Sequence, residues 1–134
     1  MADETVKVAM VILHREGRVL MQLRGGDPGV YAGGMWGIFG GRMEPSESPE
    51  RTAVREIEEE LGIALDGTLA LVVHRIDDGR ERFIYAAPLT APLETVKLAE
   101  GDGMALLSPQ QIESYPVVPI HREVLRAWWQ TPRE

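Results

Sequence analysis

Hydrophobic positions along the chain change period in a way that separates strands, loops and helices. Val6 to His14 (VKVAMVILH) is dense in aliphatic residues, Glu16-Gly17 interrupts, and Arg18 to Leu23 (RVLMQL) resumes, which predicts two strands joined in a hairpin. Arg24 to Gly34 holds five glycines and one proline and predicts an irregular loop. A loop of that length inside a compact domain is a frequent place for function. Met35-Trp36-Gly37-Ile38-Phe39 then reads as a further strand, and Gly40-Gly41 lets the backbone turn and present carbonyl oxygens.

The next pattern is helical. Ser48 is a suitable N-cap, Pro49 suits the first helical position and Gly62 suits a left-handed C-terminal position, so a helix is expected from Pro49 to Leu61. At roughly 100° per residue, Ala53, Val54, Ile57 and Leu61 share one apolar arc, the face such a helix would bury. Leu69 to Ile76 and Arg82 to Leu89 predict antiparallel strands joined across Asp77-Asp78-Gly79-Arg80. Met104 to Leu107 predicts a late short strand, and Ser108 can cap a brief helix through Gln110 to Glu113. Ile120, Val124, Leu125 and Trp128 mark the inner face of a last helix that starts near Pro119. The Trp pair there reads as packing.

Chemistry enters with the helix that follows the glycines. Glu56, Glu59 and Glu60 lie beside the apolar arc at spacings of three and four, where like charges destabilise an isolated helix by a few tenths of a kcal/mol per pair. A hard divalent cation such as Mg²⁺ or Mn²⁺ would offset that repulsion through oxygen ligands. A solvated acidic face is the ordinary alternative. Arg55 can balance one neighbouring acid, for instance Glu47.

With Gly41, Glu47, Arg55, Glu56, Ile57, Glu59, Glu60, Gly62 and Ile63 at these separations, the stretch from Gly41 to Ile63 resembles the signature box of the Nudix hydrolases. Ser46 departs from the glycine that many members carry before the first glutamate. The resemblance implies an α/β fold, a Nudix-type α/β/α sandwich with a mixed sheet, over a single domain of residues 1–134. It also implies divalent-metal-dependent cleavage of a diphosphate bond in a nucleoside diphosphate linked to another moiety. Mg²⁺, or Mn²⁺, would be held by Glu56, Glu59, Glu60 and the Gly41 carbonyl, with Glu56 and Glu59 as catalytic acids and with Glu47 and Arg55 supporting the box. The general base is either a box glutamate, with Glu56 first, or a later loop acid, Glu100 or Asp102, whose other reading is a polar turn. Arg24 is placed to reach a phosphate or to form an exposed salt bridge.

Markers of ADP-ribose and dinucleoside-polyphosphate hydrolases are not apparent, which leaves nucleoside triphosphates, oxidised ones included, ahead of nucleotide sugars. A nucleotide-sensing module without cleavage and a structural Mg²⁺ or Ca²⁺ site are the other classes, and the intact set of acids disfavours both. His14, His74 and His121 are isolated in sequence and read as structural or surface residues. The glycine-rich loop lacks the Lys-Ser/Thr ending of a P-loop.

Bulk properties narrow the partners. The 134 residues, 44% of them hydrophobic, suit one domain with its own core. A formal net charge of −7 argues against a nucleic-acid surface, so a small nucleotide is the expected partner, with a homodimer compatible. The absence of cysteine excludes disulfides and thiolate metal sites. An acidic start with a brief apolar run predicts neither a signal peptide nor a membrane span, so the expectation is a soluble, cytoplasmic protein with no membrane partner.

Overall fold

The structure is a computed structural model that describes residues 5–65, 69–99 and 101–131. Its strands are β1 (Val6–Arg15), β2 (Arg18–Leu23), β3 (Trp36–Arg42), β4 (Ala70–Asp77), β5 (Arg80–Pro88) and β6 (Gly103–Leu107). Its helices are α1 (Pro49–Leu61), α2 (Pro109–Ser114) and α3 (Pro119–Gln130), with one short 3₁₀ turn at Leu93–Thr95. The strands form one six-stranded mixed sheet in the order β4-β5-β1-β3-β2-β6. Only β1 and β5 run parallel among the pairs of that order.

β1 lies inside the sheet and its residues Val8 to Leu13 are all buried, which explains why it reads as a continuous apolar run without alternation. Successive side chains enter two separate cores. Met10, Ile12 and Ile84 pack with Ile112 of α2 and with Val124, Leu125 and Trp128 of α3. Ala9, Val11, Leu13, Phe39 and Tyr85 pack with Ala53, Ile57 and Leu61 of α1. A sheet with apolar residues on both faces needs a helical layer on each, so the α/β/α sandwich follows from the burial pattern.

β3 has an unusual path. It pairs antiparallel with β1 through Phe39 to Arg42 and antiparallel with β2 through Trp36 to Ile38, although β1 and β2 are themselves an antiparallel hairpin. All three pairings hold because the hairpin arms diverge beyond His14↔Val19 and β3 turns between them at Ile38-Phe39. Gly40 makes the close approach possible, since a Cβ there would sit 2.3 Å from the Ala9 carbonyl oxygen. The edge that β1 leaves open on β3 is filled by the segment before α3. Trp36 N–H donates to Pro116 O at 2.8 Å, Val118 N–H donates to Trp36 O at 2.9 Å, and Ile38 N–H donates to His121 Nδ1 at 3.1 Å.

The expected elements form, with local differences at the β4–β5 turn and in the burial of α1. The β4–β5 connection is a two-residue turn with Asp78 at φ +51° and Gly79 at φ +70°, so β5 begins at Arg80. Val54 is only half-buried, whereas Thr52 and Glu60 are buried with Ala53, Ile57 and Leu61. Thr52 tolerates burial because its hydroxyl donates to Glu47 Oε1 at 2.7 Å. α1 keeps its expected ends: the Ser48 side chain accepts from Arg51 N–H, and Gly62 adopts φ +70° and donates to Glu58 O.

Candidate active site

The turn from β3 into α1 brings the box together. Gly41 sits on the strand against Glu56 of the helix, and a Cβ at Gly41 would fall 2.3 to 2.7 Å from the Glu56 carboxyl atoms. Any other residue there would push the helix acid off the strand backbone. Arg55 then ties the acids: Nε donates to Glu47 Oε2 at 2.7 Å, while Nη1 donates to Glu56 Oε2 at 2.9 Å and to Glu59 Oε1 at 3.1 Å. Its Nη2 also reaches Arg42 O at 3.1 Å, which anchors α1 to the end of β3. One guanidinium thus balances three acids where the spacing alone suggested one.

Glu47 is held well into the acid range, at about 2, by the Arg55 hydrogen bond first and then by Glu44 N–H and the Thr52 hydroxyl. The same contacts raise the Arg55 pKa. Ser46, the departure from the box glycine, has φ +68°, the left-handed region where glycine carries no steric cost.

Glu56 and Glu60 open onto a cavity of about 640 Å³ that Gln22, Arg24, Asp27, Gly41, Arg42 and Asp102 also line. Glu60 is 6% exposed and Glu59 is exposed, so the box acids occupy different environments along one helix turn. Asp102 arrives because Gly101, at φ +90°, lets the backbone lie close on β2, and Asp102 N–H donates to Leu23 O at 2.8 Å. Glu100, the other loop acid considered above, lies outside the described residues.

A divalent cation suits this donor chemistry, since carboxylates and a strand carbonyl are hard oxygen ligands and the Gly41 cradle holds Glu56 against the backbone. Among the described residues no three acid, histidine or cysteine side chains already converge as a cage. Arg55 occupies the counter-charge position toward Glu56 and Glu59.

A profile of the NUDIX domain matches residues 3–128. The chain belongs to the Nudix hydrolase family. It is 30% identical over 124 residues to a CTP pyrophosphohydrolase of Escherichia coli, covering 92% of this chain and 90% of that one. A shorter match, 42% identical over 57 residues, links it to a nucleoside triphosphatase of Enterobacter, 42% of this chain and 40% of that protein. A MutT NUDIX hydrolase of Burkholderia pseudomallei has a similar structure, with a TM-score of 0.75, 27% identity and coverage of 91% of this chain and 96% of that one.

Beyond its box, this Nudix chain has a second cavity, of about 310 Å³, on the α3 side of the sheet. Arg24, Gly40, Gly41 and Arg42 line both cavities, so the two adjoin across the end of β3. Arg80, Arg82, Tyr31 and His121 complete the second one. Arg82 is 1% exposed and donates to Asp77 Oδ1 and, at 3.3 Å, to the Tyr31 hydroxyl. The Arg80 guanidinium lies 3.9 Å over the Tyr31 ring, and Arg24 Nε donates to Tyr31 O at 2.6 Å.

Of the residues that line this cavity, sequence reasoning singled out Arg24 as a candidate and did not single out Arg80, Arg82, Tyr31 or His121. A usable signal existed for two of them: alternation along Arg80-Glu81-Arg82-Phe83-Ile84 puts both arginines on the face of the buried Ile84. Of the other histidines, His74 stacks on Phe83 at 4.2 Å and pairs with Glu81, and His14 lies 5.2 Å from Trp128. Among the described residues no helix is long and apolar enough to cross a membrane.

Proposed function

We propose that the chain hydrolyses nucleoside triphosphates to the monophosphate and diphosphate with Mg²⁺ or Mn²⁺ bound by the box. That it is a hydrolase of phosphoanhydride bonds follows from the family. The observation that carries the substrate reading is the shared wall of the two cavities at Arg24 and Gly40 to Arg42. A triphosphate lying over that wall has acids and a metal on one side and a base-sized, arginine-lined hollow on the other. The E. coli and Enterobacter relatives are named for CTP pyrophosphohydrolase and nucleoside triphosphatase activity, which supports the same class.

Each group has a chemical task. Glu56, Glu59, Glu60 and the Gly41 carbonyl would hold the metal, which supplies charge neutralisation at the diphosphate oxygens and acidifies bound water. Glu56, fixed by Gly41 and Arg55, accepts the proton of the attacking water. Arg24 and Arg42 face the phosphate chain from the shared wall. Asp102, which lines the same cavity, is the second candidate for the proton.

The purified chain with Mg²⁺ should convert nucleoside triphosphates to monophosphate and diphosphate, identified by mass, and leave nucleotide sugars largely intact. Faster turnover of a nucleotide sugar, or binding without turnover, would replace this reading.

A further inference from the structure

Thr52 lies on α1 three residues before Arg55 and four before Glu56, so the three side chains leave the helix on one face. It is fully buried, and its hydroxyl donates to Glu47 Oε1 at 2.7 Å. The same oxygen accepts from Glu44 N–H at 2.9 Å and from Arg55 Nη2 at 3.0 Å, while Oε2 accepts from Arg55 Nε at 2.7 Å. Only 11% of the Glu47 side chain is exposed, so water replaces little of any donor that is lost. The hydroxyl has a local alternative. Ser48 O lies 3.1 Å from it within the same helix, and one hydroxyl hydrogen serves one acceptor at a time. What the shorter bond to Glu47 secures is therefore the carboxylate.

The consequence passes through Arg55. A guanidinium is a rigid planar fork, so fixing Nε and Nη2 on Glu47 decides where Nη1 points. It points at Glu56 Oε2, 2.9 Å away, and at Glu59 Oε1, 3.1 Å away. Glu56 has little room to follow a displaced fork, because its carboxyl group lies against the Gly41 backbone.

We propose that Thr52 is a positioning residue for the metal-binding acids: its hydroxyl orients Glu47, and through it the Arg55 fork, so that Glu56 and Glu59 present their oxygens to a divalent cation in one arrangement. The inference rests on the metal-dependent reading above. The hydroxyl is the working group, and the methyl buried with it contributes packing alone.

Two substitutions in the full chain separate these parts. Thr52→Val keeps the branched shape and removes the hydroxyl, whereas Thr52→Ser keeps the hydroxyl and removes the methyl. Mn²⁺ is titrated without nucleotide, and the free ion is followed by electron paramagnetic resonance. The Kd should rise about 3- to 10-fold in Thr52→Val and stay within about twofold of wild type in Thr52→Ser, a smaller effect than loss of a group in direct contact with a ligand. At saturating Mg²⁺, with the nucleoside triphosphate the chain turns over fastest, kcat should fall about 10-fold in Thr52→Val and recover in Thr52→Ser, with KM nearly constant in both. Wild-type Kd and kcat in Thr52→Val would overturn the proposal. So would losses that follow the thermal transitions of the two variants instead of the presence of the hydroxyl, because a purely structural role predicts that order. If Thr52→Val does not fold, Thr52→Ala against Thr52→Ser makes the same comparison. A chain that binds Mn²⁺ but hydrolyses no triphosphate sinks the catalytic reading and leaves the titration to decide the role of Thr52. Hydrolysis with one metal affinity across all variants sinks this inference alone, and a chain that binds no Mn²⁺ sinks both.

Discussion

Two cavities meet at the end of β3, and they are built in opposite ways. The acidic one takes Glu56 and Glu60 from one helix and is scaffolded by a continuous segment from Gly41 to Ile63. The cationic one draws Arg24 from the end of β2, Tyr31 from a loop, Arg80 and Arg82 from β5 and His121 from α3. Beside the first, Arg55 pairs with Glu47, Glu56 and Glu59; in the second, four arginines line a hollow, and one of them, Arg82, pairs with Asp77. An acid cluster made by helical spacing is local, and a cavity lined by docking elements is not.

The sharpest break between the two comes from Glu60→Gln, which removes one charge from the acidic cavity and keeps side-chain shape. Turnover at limiting Mg²⁺ should fall roughly 100-fold or more, with the thermal transition nearly unchanged. Near-normal turnover would take Glu60 out of the metal set. Arg82→Ala should do the reverse in kind. It strips a fully buried guanidinium from Asp77 and Tyr31, so stability should drop by about 3 kcal/mol in urea titration, with KM rising more than kcat falls. Unchanged stability would mean that Asp77 is satisfied by Arg75 alone.

The two regions also titrate in different windows. His121 has a folded pKa of about 3 against 6.5 for the free group, so below pH 6.5 the unfolded chain takes a proton that the folded chain refuses. Its contribution is complete above pH 6.5 and is lost as pH falls toward 3, at up to about 1.4 kcal/mol per pH unit. Glu47, with 4.5 lowered to about 2, keeps its contribution above pH 4.5 and loses it only below. Urea midpoints between pH 7 and pH 5 should therefore fall in the wild type and stay flatter in His121→Gln, while Glu47→Gln alters the profile only at lower pH.

The smallest effect is expected at Asp102→Asn. If Glu56 accepts the proton, maximal rate at saturating metal and substrate should stay within about threefold of wild type. A collapse with unchanged metal affinity would move the base from α1 to the loop, and with it part of the chemistry out of the contiguous segment.

Read from the chain alone, the strands, the hairpin, both ends of α1 and the whole acidic box were accessible, because each depends on neighbours a few residues away. Ser48, Pro49 and Gly62 bracket the helix by local backbone preference, and Glu56, Glu59 and Glu60 share a face by helical geometry. Burial within α1 was less legible. Val54 and Glu60 exchange expected places because the helix's rotation is set by the Gly41–Glu56 contact and by Arg55 reaching back to β3, neither of which periodicity encodes. The cationic cavity was beyond reach for a stronger reason. His121 gains its tautomer, its burial and its depressed pKa from Ile38 and three arginines on other elements, and β3 meets it only because the hairpin arms diverge and β3 turns between them. Local spacing determines which side chains share a helix face; the long-range pairing of strands determines which charges share a cavity, and no spacing in the sequence carries that information.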